Sequence, residues 1–258
     1  MSRPIVIQSF HTAQRPSVID LAINTVSSWA QLNQYEYLFF GDEAIELLPI
    51  KYRKNCSGRL PMMMDLARLF LIRQLLDKNA NQVIWIDADV LVFAPERFSV
   101  SETLPQMVGR EIWVSKTKTN TWKARRHVHN AVLSFKKETR VLDFLIYATE
   151  RIGERLQTTP SPQLLGPKLF THLHNMVDFP VLETAGMMSP QVMSDLLQGN
   201  GPALDCHLCS QKENMMAVNL SHSLVGTNSD GVQVTEKFLL NSSQLLMERF
   251  SKNGLCRP

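Results

Sequence analysis

Val83-Ile84-Trp85-Ile86-Asp87-Ala88-Asp89-Val90-Leu91-Val92-Phe93 decides how the rest of the chain reads. It opens as a short apolar strand with no polar face, which calls for cover on both sides. The strand stops at two carboxylates, Asp87 and Asp89, one residue apart. Side chains alternate along an extended chain, so these two are expected to point the same way. An ionised carboxylate leaving water needs a partner or a cation. Two oxygen donors at this spacing suit a hard divalent cation, Mn2+ or Mg2+, which keeps positions open for phosphate oxygens. Ligands of open α/β sheets bind at the carboxyl ends of strands. The stretch therefore predicts a carboxylate–metal–diphosphate site; the bland competitor is a chance Asp-x-Asp in a loop.

Working outward, Pro4 to Phe10 reads as a strand, and Ser17 as the cap of a helix with Val18, Ala22, Val26 and Trp29 at helical spacing. Tyr35 to Phe40 is an aromatic-rich second strand, and Pro61 opens a helix over Met62 to Leu76. Strand, helix, strand, helix, strand is the order of a parallel sheet with crossover helices. Downstream, Glu111 to Ser115 and Asn130 to Phe135 read as strands, with the basic stretch Lys116 to His127 as a mobile loop between them. Thr139 to Leu156 is an amphipathic helix, Pro160-Ser161-Pro162 a break, Gly166-Pro167 a helix start, and Ser242 to Phe250 a closing helix. The fold class is α/β, a mainly parallel central sheet flanked by helices, in one domain over residues 1–258.

The 258 residues are 44% hydrophobic and 20% charged, enough for a sizeable core. A net charge of +3 with no basic tail speaks against a nucleic-acid partner. No run of about twenty apolar residues predicts a membrane span, and peripheral membrane association stays open. The apolar run before Gln8 is too short for a signal-peptide core. Cys56, Cys206, Cys209 and Cys256 are scattered, so a reducing, cytoplasmic setting is expected. Asp205-Cys206-His207-Leu208-Cys209 lacks the second ligand pair that a zinc site needs.

Several further motifs carry a resemblance. Ser28-Trp29, Asn33-Gln34-Tyr35-Glu36-Tyr37, Asp65-Leu66-Ala67-Arg68 ahead of the Asp-x-Asp strand, Asn130-Ala131, Gly166-Pro167 and His222-Ser223-Leu224-Val225-Gly226-Thr227-Asn228 occur in that order. The chain resembles GT-A fold glycosyltransferases with a DxD sugar-binding region. The match is to the group of yeast (Och-type) mannosyltransferases and capsular-polysaccharide-synthesis transferases, glycosyltransferase family thirty-two, with glycogenin-like family eight close behind. It departs from that pattern where Asn81-Gln82 replaces a Gly-Gly pair and Asn228 replaces a tryptophan.

The resemblance implies transfer of a sugar from a nucleoside-diphosphate sugar to a hydroxyl of a glycan or polysaccharide precursor, with retention of configuration. Residues 1–98 would form the nucleotide-sugar half and 99–258 the acceptor side with a closing segment. Asp87 and Asp89 are the expected catalytic residues and, with His222, the ligands of Mn2+ or Mg2+. Asp65, Arg68, Asp87, Asn130 and Gly226 are expected on the donor, Gly166 and Pro167 on the acceptor side. Chemically, His222 suits a third ligand, Arg68 a bidentate diphosphate clamp, and Gly226 a close backbone approach. For an inverting enzyme, Glu183 and Asp205 are the only carboxylates put forward as a base. Two rivals stand beside this reading: a haloacid-dehalogenase-type phosphatase using the same Asp-x-Asp, and a nucleotide-sugar-binding protein without turnover.

Overall fold

The computed structural model describes residues 3–156, 161 and 163–256. Pro160 and Pro162, the expected break, lie outside them. The first strands and helices are β1 (Ile5–Ser9), α1 (Ser17–Leu32), β2 (Glu36–Phe40), α2 (Ile50–Asn55), α3 (Leu60–Asp77) and β3 (Gln82–Ile86). Next come β4 (Val90–Val92), β5 (Gln106–Lys116), β6 (Trp122–Lys136), α4 (Val141–Glu154), α5 (Leu169–Val177), β7 (Val181–Leu182) and β8 (Ala185–Met187). The chain ends through α6 (Pro190–Gln198), α7 (Pro202–Ser210), β9 (Ala217–Asn219), the short pair β10 (Asn228–Ser229) and β11 (Val232–Gln233), and α8 (Glu236–Phe250).

The main sheet has the order β2-β1-β3-β6-β5-β7. Its first three strands run parallel, joined by α1 and α3, as the alternating pattern requires. β3 is buried at every residue, and its two faces feed different cores. Ile84 and Ile86 pack with Val26 and Trp29 of α1, while Val83 and Trp85 pack with Leu69 and Ile72 of α3. A strand covered on both faces takes a polar residue only where it is hydrogen-bonded, as Gln82 is to Ser101 O and Ser134 Oγ, so β3 lacks the alternation of a half-exposed strand.

Three local expectations change. The helix of α1 is preceded by Pro16, and Ser17 is its first residue without a side-chain cap. The basic stretch Lys116 to His127 is the end of a long antiparallel hairpin rather than a loop. Backbone pairing to Gln106–Lys116 holds it, and polar side chains on the outward face of a sheet obscure that in sequence. Finally, β3 ends at Ile86, and Val90 N–H closes a turn onto Asp87 O at 3.0 Å. Asp87 and Asp89 thus share a tight turn rather than the alternation of one extended strand.

A second sheet, β4-β9-β8, begins one residue after Asp89. Val90 pairs with Asn219, so the chain from Asn219 to His222 returns to the aspartates from more than a hundred residues away.

Candidate active site

Asp87 sits where four elements meet. Its Oδ1 accepts from Arg68 Nη1 at 2.8 Å and from Trp85 Nε1 at 2.6 Å. Its backbone N–H donates to Ala131 O at 2.7 Å, and its carbonyl accepts from Gln8 Nε2 at 3.1 Å. Gln8 is buried and is held in turn by Tyr37 Oη at 2.9 Å.

Arg68 is the hub. It is buried; Nη1 also donates to Asn130 O at 2.7 Å, Nε to Met64 O at 3.2 Å, and Nη2 lies 3.4 Å from Asp65 Oδ1. The guanidinium is also stacked 5.1 Å from the Trp85 ring centroid. Nε and Nη1 are spent on the protein, so Arg68 holds Asp87 and the β6 backbone in place, and it also lines both cavities described below. Asp65 is likewise engaged: Asn130 Nδ2 donates to its Oδ1 at 2.7 Å.

The device that brings Asn130 here is a break in strand register. Val108 pairs with Leu133, but the next residue, Gly109, pairs with His129. Asn130, Ala131 and Val132 bulge away from β5; Val132 stays paired with Ile86 of β3, while Asn130 turns to Arg68 and Asp65 and Ala131 O to Asp87 N–H. Gly166 lies against the same pair: a Cβ there would come within 2.6 Å of Asp65 Oδ1 and 2.8 Å of Asn130 Nδ2. It occupies a wide helical turn, Leu164–Lys168, with non-helical φ −102° and ψ −108°, and α5 begins only after it. Gly166 therefore packs on the donor-side candidates, while Pro167 lines the larger cavity described below.

Asp89 is held from the far end of the chain. Its Oδ2 accepts from His222 N–H at 3.0 Å, and its carbonyl accepts from Leu220 N–H at 2.9 Å. His222 thus arrives at the site by its backbone, but its imidazole turns away to Glu236 Oε1, 2.6 Å from Nε2. Gly226 adopts φ +88°, which only glycine accommodates freely. Its N–H is bound to Val234 O, and it lines neither cavity.

Burial sets the electrostatics. It pushes Asp65 up to about 7, with the Arg68 charge opposing. Asp87 is also raised by burial against the pull of Arg68 and Trp85. Asp89 is pushed up to about 6 by burial and then by the neighbouring Asp87 charge. Arg68 faces two of these three carboxyls, Asp65 and Asp87, and is the one cation against them. Full ionisation leaves two negative charges uncompensated, the charge of one divalent cation. Among the described residues, no three His, Cys, Asp or Glu side chains converge into a ready-made metal cage. Two carboxylates completed by substrate phosphates are nonetheless a normal Mg2+ donor set, and Asp87 and Asp89 fit it.

Two cavities meet at this turn. One, of about 280 Å3, is mainly apolar and is lined by Phe10, Ile19, Ile45 and Met64 before reaching Arg68, Asp87 and Asp89. The other, of about 780 Å3, runs from the same aspartates past Asn130 and His129 to Glu111 and Trp113. Glu111 was not anticipated from sequence. Burial pushes it up to about 7, and among the described residues it has no charged or hydrogen-bonding partner. The two carboxylates put forward instead are elsewhere. Glu183 is clamped by Arg110 at 2.9 and 3.0 Å and by Arg126 at 3.0 Å, and Asp205 is exposed on α7.

No protein-family profile and no curated protein sequence matches this chain. Solved structures do. The crystal structure of a glycosyltransferase involved in the glycosylation of the major capsid of PBCV-1 superposes with a TM-score of 0.50, over 94% of this chain and 98% of that one. The chain has the GT-A glycosyltransferase fold. Identity to that structure is 11%, so the likeness concerns the fold alone. Mouse xyloside xylosyltransferase 1 (TM-score 0.44, 8% identity, 86% and 99% covered) also matches. So does GlyE of Streptococcus pneumoniae TIGR4 (TM-score 0.41, 11% identity, 96% and 63% covered). These two, at lower TM-scores, add nothing to that conclusion. No described helix is long and apolar enough to cross a membrane.

Proposed function

We propose that this GT-A chain is a metal-dependent glycosyltransferase that moves a sugar from a nucleoside-diphosphate sugar to a glycan hydroxyl. The observation that carries the reading is the negative turn at Asp87–Asp89 placed where an apolar slot and a roomier polar cavity join. The slot suits a nucleoside, the turn a cation-bridged diphosphate, and the larger cavity the transferred sugar and its acceptor.

In the reaction the bond from the anomeric carbon to the diphosphate oxygen breaks, and a bond to the acceptor oxygen forms. The leaving diphosphate keeps the bonding electrons and takes up the hydroxyl proton. Asp87 and Asp89 would hold the divalent cation, which when bound would supply Lewis-acid stabilisation of the charge that develops on the diphosphate. Arg68 and Trp85 fix one oxygen of Asp87, which leaves the other to face the cavity. His222 serves the site through its backbone N–H, which aims Asp89, while its imidazole is bound to Glu236. Asp65 and Asn130, backed by Gly166, form the wall beneath the sugar. Retention of configuration is what the resemblance implies.

The test is incubation of the full chain with UDP- and GDP-linked hexoses and Mn2+, following release of nucleoside diphosphate. Release with at least one donor, lost on chelation, supports the reading. Phosphate release from simple phosphoesters without a sugar nucleotide supports the phosphatase reading instead. Donor binding with neither transfer nor hydrolysis points to a binding protein without turnover.

A further inference from the structure

The larger cavity does not end at Glu111 and Trp113. In an antiparallel pair, residues in register point to the same face. Glu111 pairs with His127, Trp113 with Arg125 and Ser115 with Lys123. These six residues therefore form one strip along the outward face of the β5–β6 hairpin, and its inner end is the cavity wall. The opposite face is buried through Ile112 and Val114.

The strip changes character along its length. At the cavity it holds an unpartnered carboxyl and an indole. Farther out, Lys123 and Arg125 are exposed, and Arg125 is steadied by Ser115 Oγ, which lies 2.6 Å from Nη1. No acidic residue occurs between Glu111 and Glu138, and among the described residues neither Lys123 nor Arg125 has a carboxylate partner. Arg126, on the other face, is the neighbour whose charge is spent, on Glu183. An uncompensated pair of cations beside an aromatic platform is a binding surface for an anion joined to a flat, partly apolar ring. From Ala131, bonded to Asp87 N–H, to His127, paired with Glu111, the strand spans at most about 13 Å. The cavity of about 780 Å3 that joins the aspartates to Trp113 has room for a sugar between them.

We infer that this strip is the acceptor subsite, and that the acceptor is an anionic saccharide whose ring lies on Trp113 and whose phosphate or carboxylate is held by Arg125 and Lys123. The inference rests on the glycosyltransferase reading and extends it to the acceptor class. Glu111, directly inside Trp113, receives a hydroxyl of the same ring. The opposite charges at the two ends fix the direction in which the acceptor lies.

The test is calorimetric titration of the full chain with maltotetraose, maltotetraose 1-phosphate and tetragalacturonate, with UDP or GDP plus Mn2+ as a control ligand. Folding of each variant is checked by its unfolding midpoint. At least one anionic tetramer is expected to bind tenfold or more tighter than maltotetraose, and which one identifies phosphate or carboxylate as the anion. Lys123→Glu/Arg125→Glu removes that preference, and Trp113→Ala weakens the preferred tetramer at least fivefold. Equal binding of neutral and charged tetramers, or a preference that survives charge reversal, overturns the inference. So does binding to phosphatidylglycerol vesicles that depends on Lys123 and Arg125 without any saccharide preference, since that marks a membrane-facing surface. Failure of the nucleotide control in the wild-type chain contradicts the transferase reading itself and is seen separately.

Discussion

Arg68 commits Nε and Nη1 to three acceptors of the protein, and this decides how its replacement behaves. A lysine keeps the charge but offers one compact ammonium in place of the fork that spans Asp87, Asn130 O and Met64 O. Arg68→Lys is expected to cost roughly 1–3 kcal/mol of stability by leaving buried acceptors unpaired, and to weaken nucleotide binding through a misplaced Asp87. Unchanged denaturant unfolding together with unchanged nucleotide affinity contradicts the hub role. Glu111 gives a second check at this scale. Its carboxyl is raised to about 7 in the folded protein, so charging it there costs stability. That penalty is absent below its unfolded value near 4.5, grows as pH rises, and is complete above about 7. Glu111→Gln should therefore stabilise the chain at pH 8, by roughly 1–2 kcal/mol, and much less at pH 5. An equal effect at both pH values, read from denaturant melts, contradicts a buried unpartnered carboxyl.

Elements show why some of the site is legible in sequence and some is not. Asp87 and Asp89 stand out because a fully apolar strand ends in charge. Asp65 and Arg68 stand out because they share one face of an otherwise apolar helix. The register break of β6 leaves no such trace: Asn130 sits inside an ordinary apolar stretch, and three residues without a partner on β5 cannot be read from side-chain alternation. Gln8 is hidden for the same reason, a polar residue inside strand β1 that serves a turn on its neighbour. For His222, β4–β9 pairing brings its backbone to Asp89 while Glu236, on the tail helix, takes its ring. The hairpin escaped because its outward face is basic enough to pass for a loop. Gly166 is the element-level prediction. Gly166→Ala drives a methyl into Asp65 and Asn130, and should cost roughly 1–3 kcal/mol and lower nucleotide affinity as the α3–β6 contact shifts. Wild-type melting and binding in this variant would show that the wall does not depend on close approach.

At the scale of the whole molecule, the sheet separates two cores, and two histidines, His129 and His207, are buried in it and against it. His129 and His207 are both held down to about 4, chiefly by burial. A histidine depressed from about 6.5 contributes stability that is full above pH 6.5 and is lost as pH falls toward 4. Raised carboxyls act in the opposite sense over an overlapping range, so the histidine part is isolated by comparison with a variant. Between pH 7 and pH 5, the wild type is expected to lose about 2 kcal/mol more stability than His207→Leu. Parallel pH dependences for the two proteins would contradict the assignment.

The central claim is that a buried acidic turn grips a cation to hold a diphosphate, and calorimetric titration of UDP and GDP, with and without Mn2+, tests it most directly in the wild type and Asp89→Ala. The wild type should bind at least one nucleotide tenfold or more tighter with Mn2+, and Asp89→Ala should lose that gain while keeping its fold. Nucleotide binding indifferent to Mn2+, or a metal-dependent gain that survives in Asp89→Ala, contradicts the account.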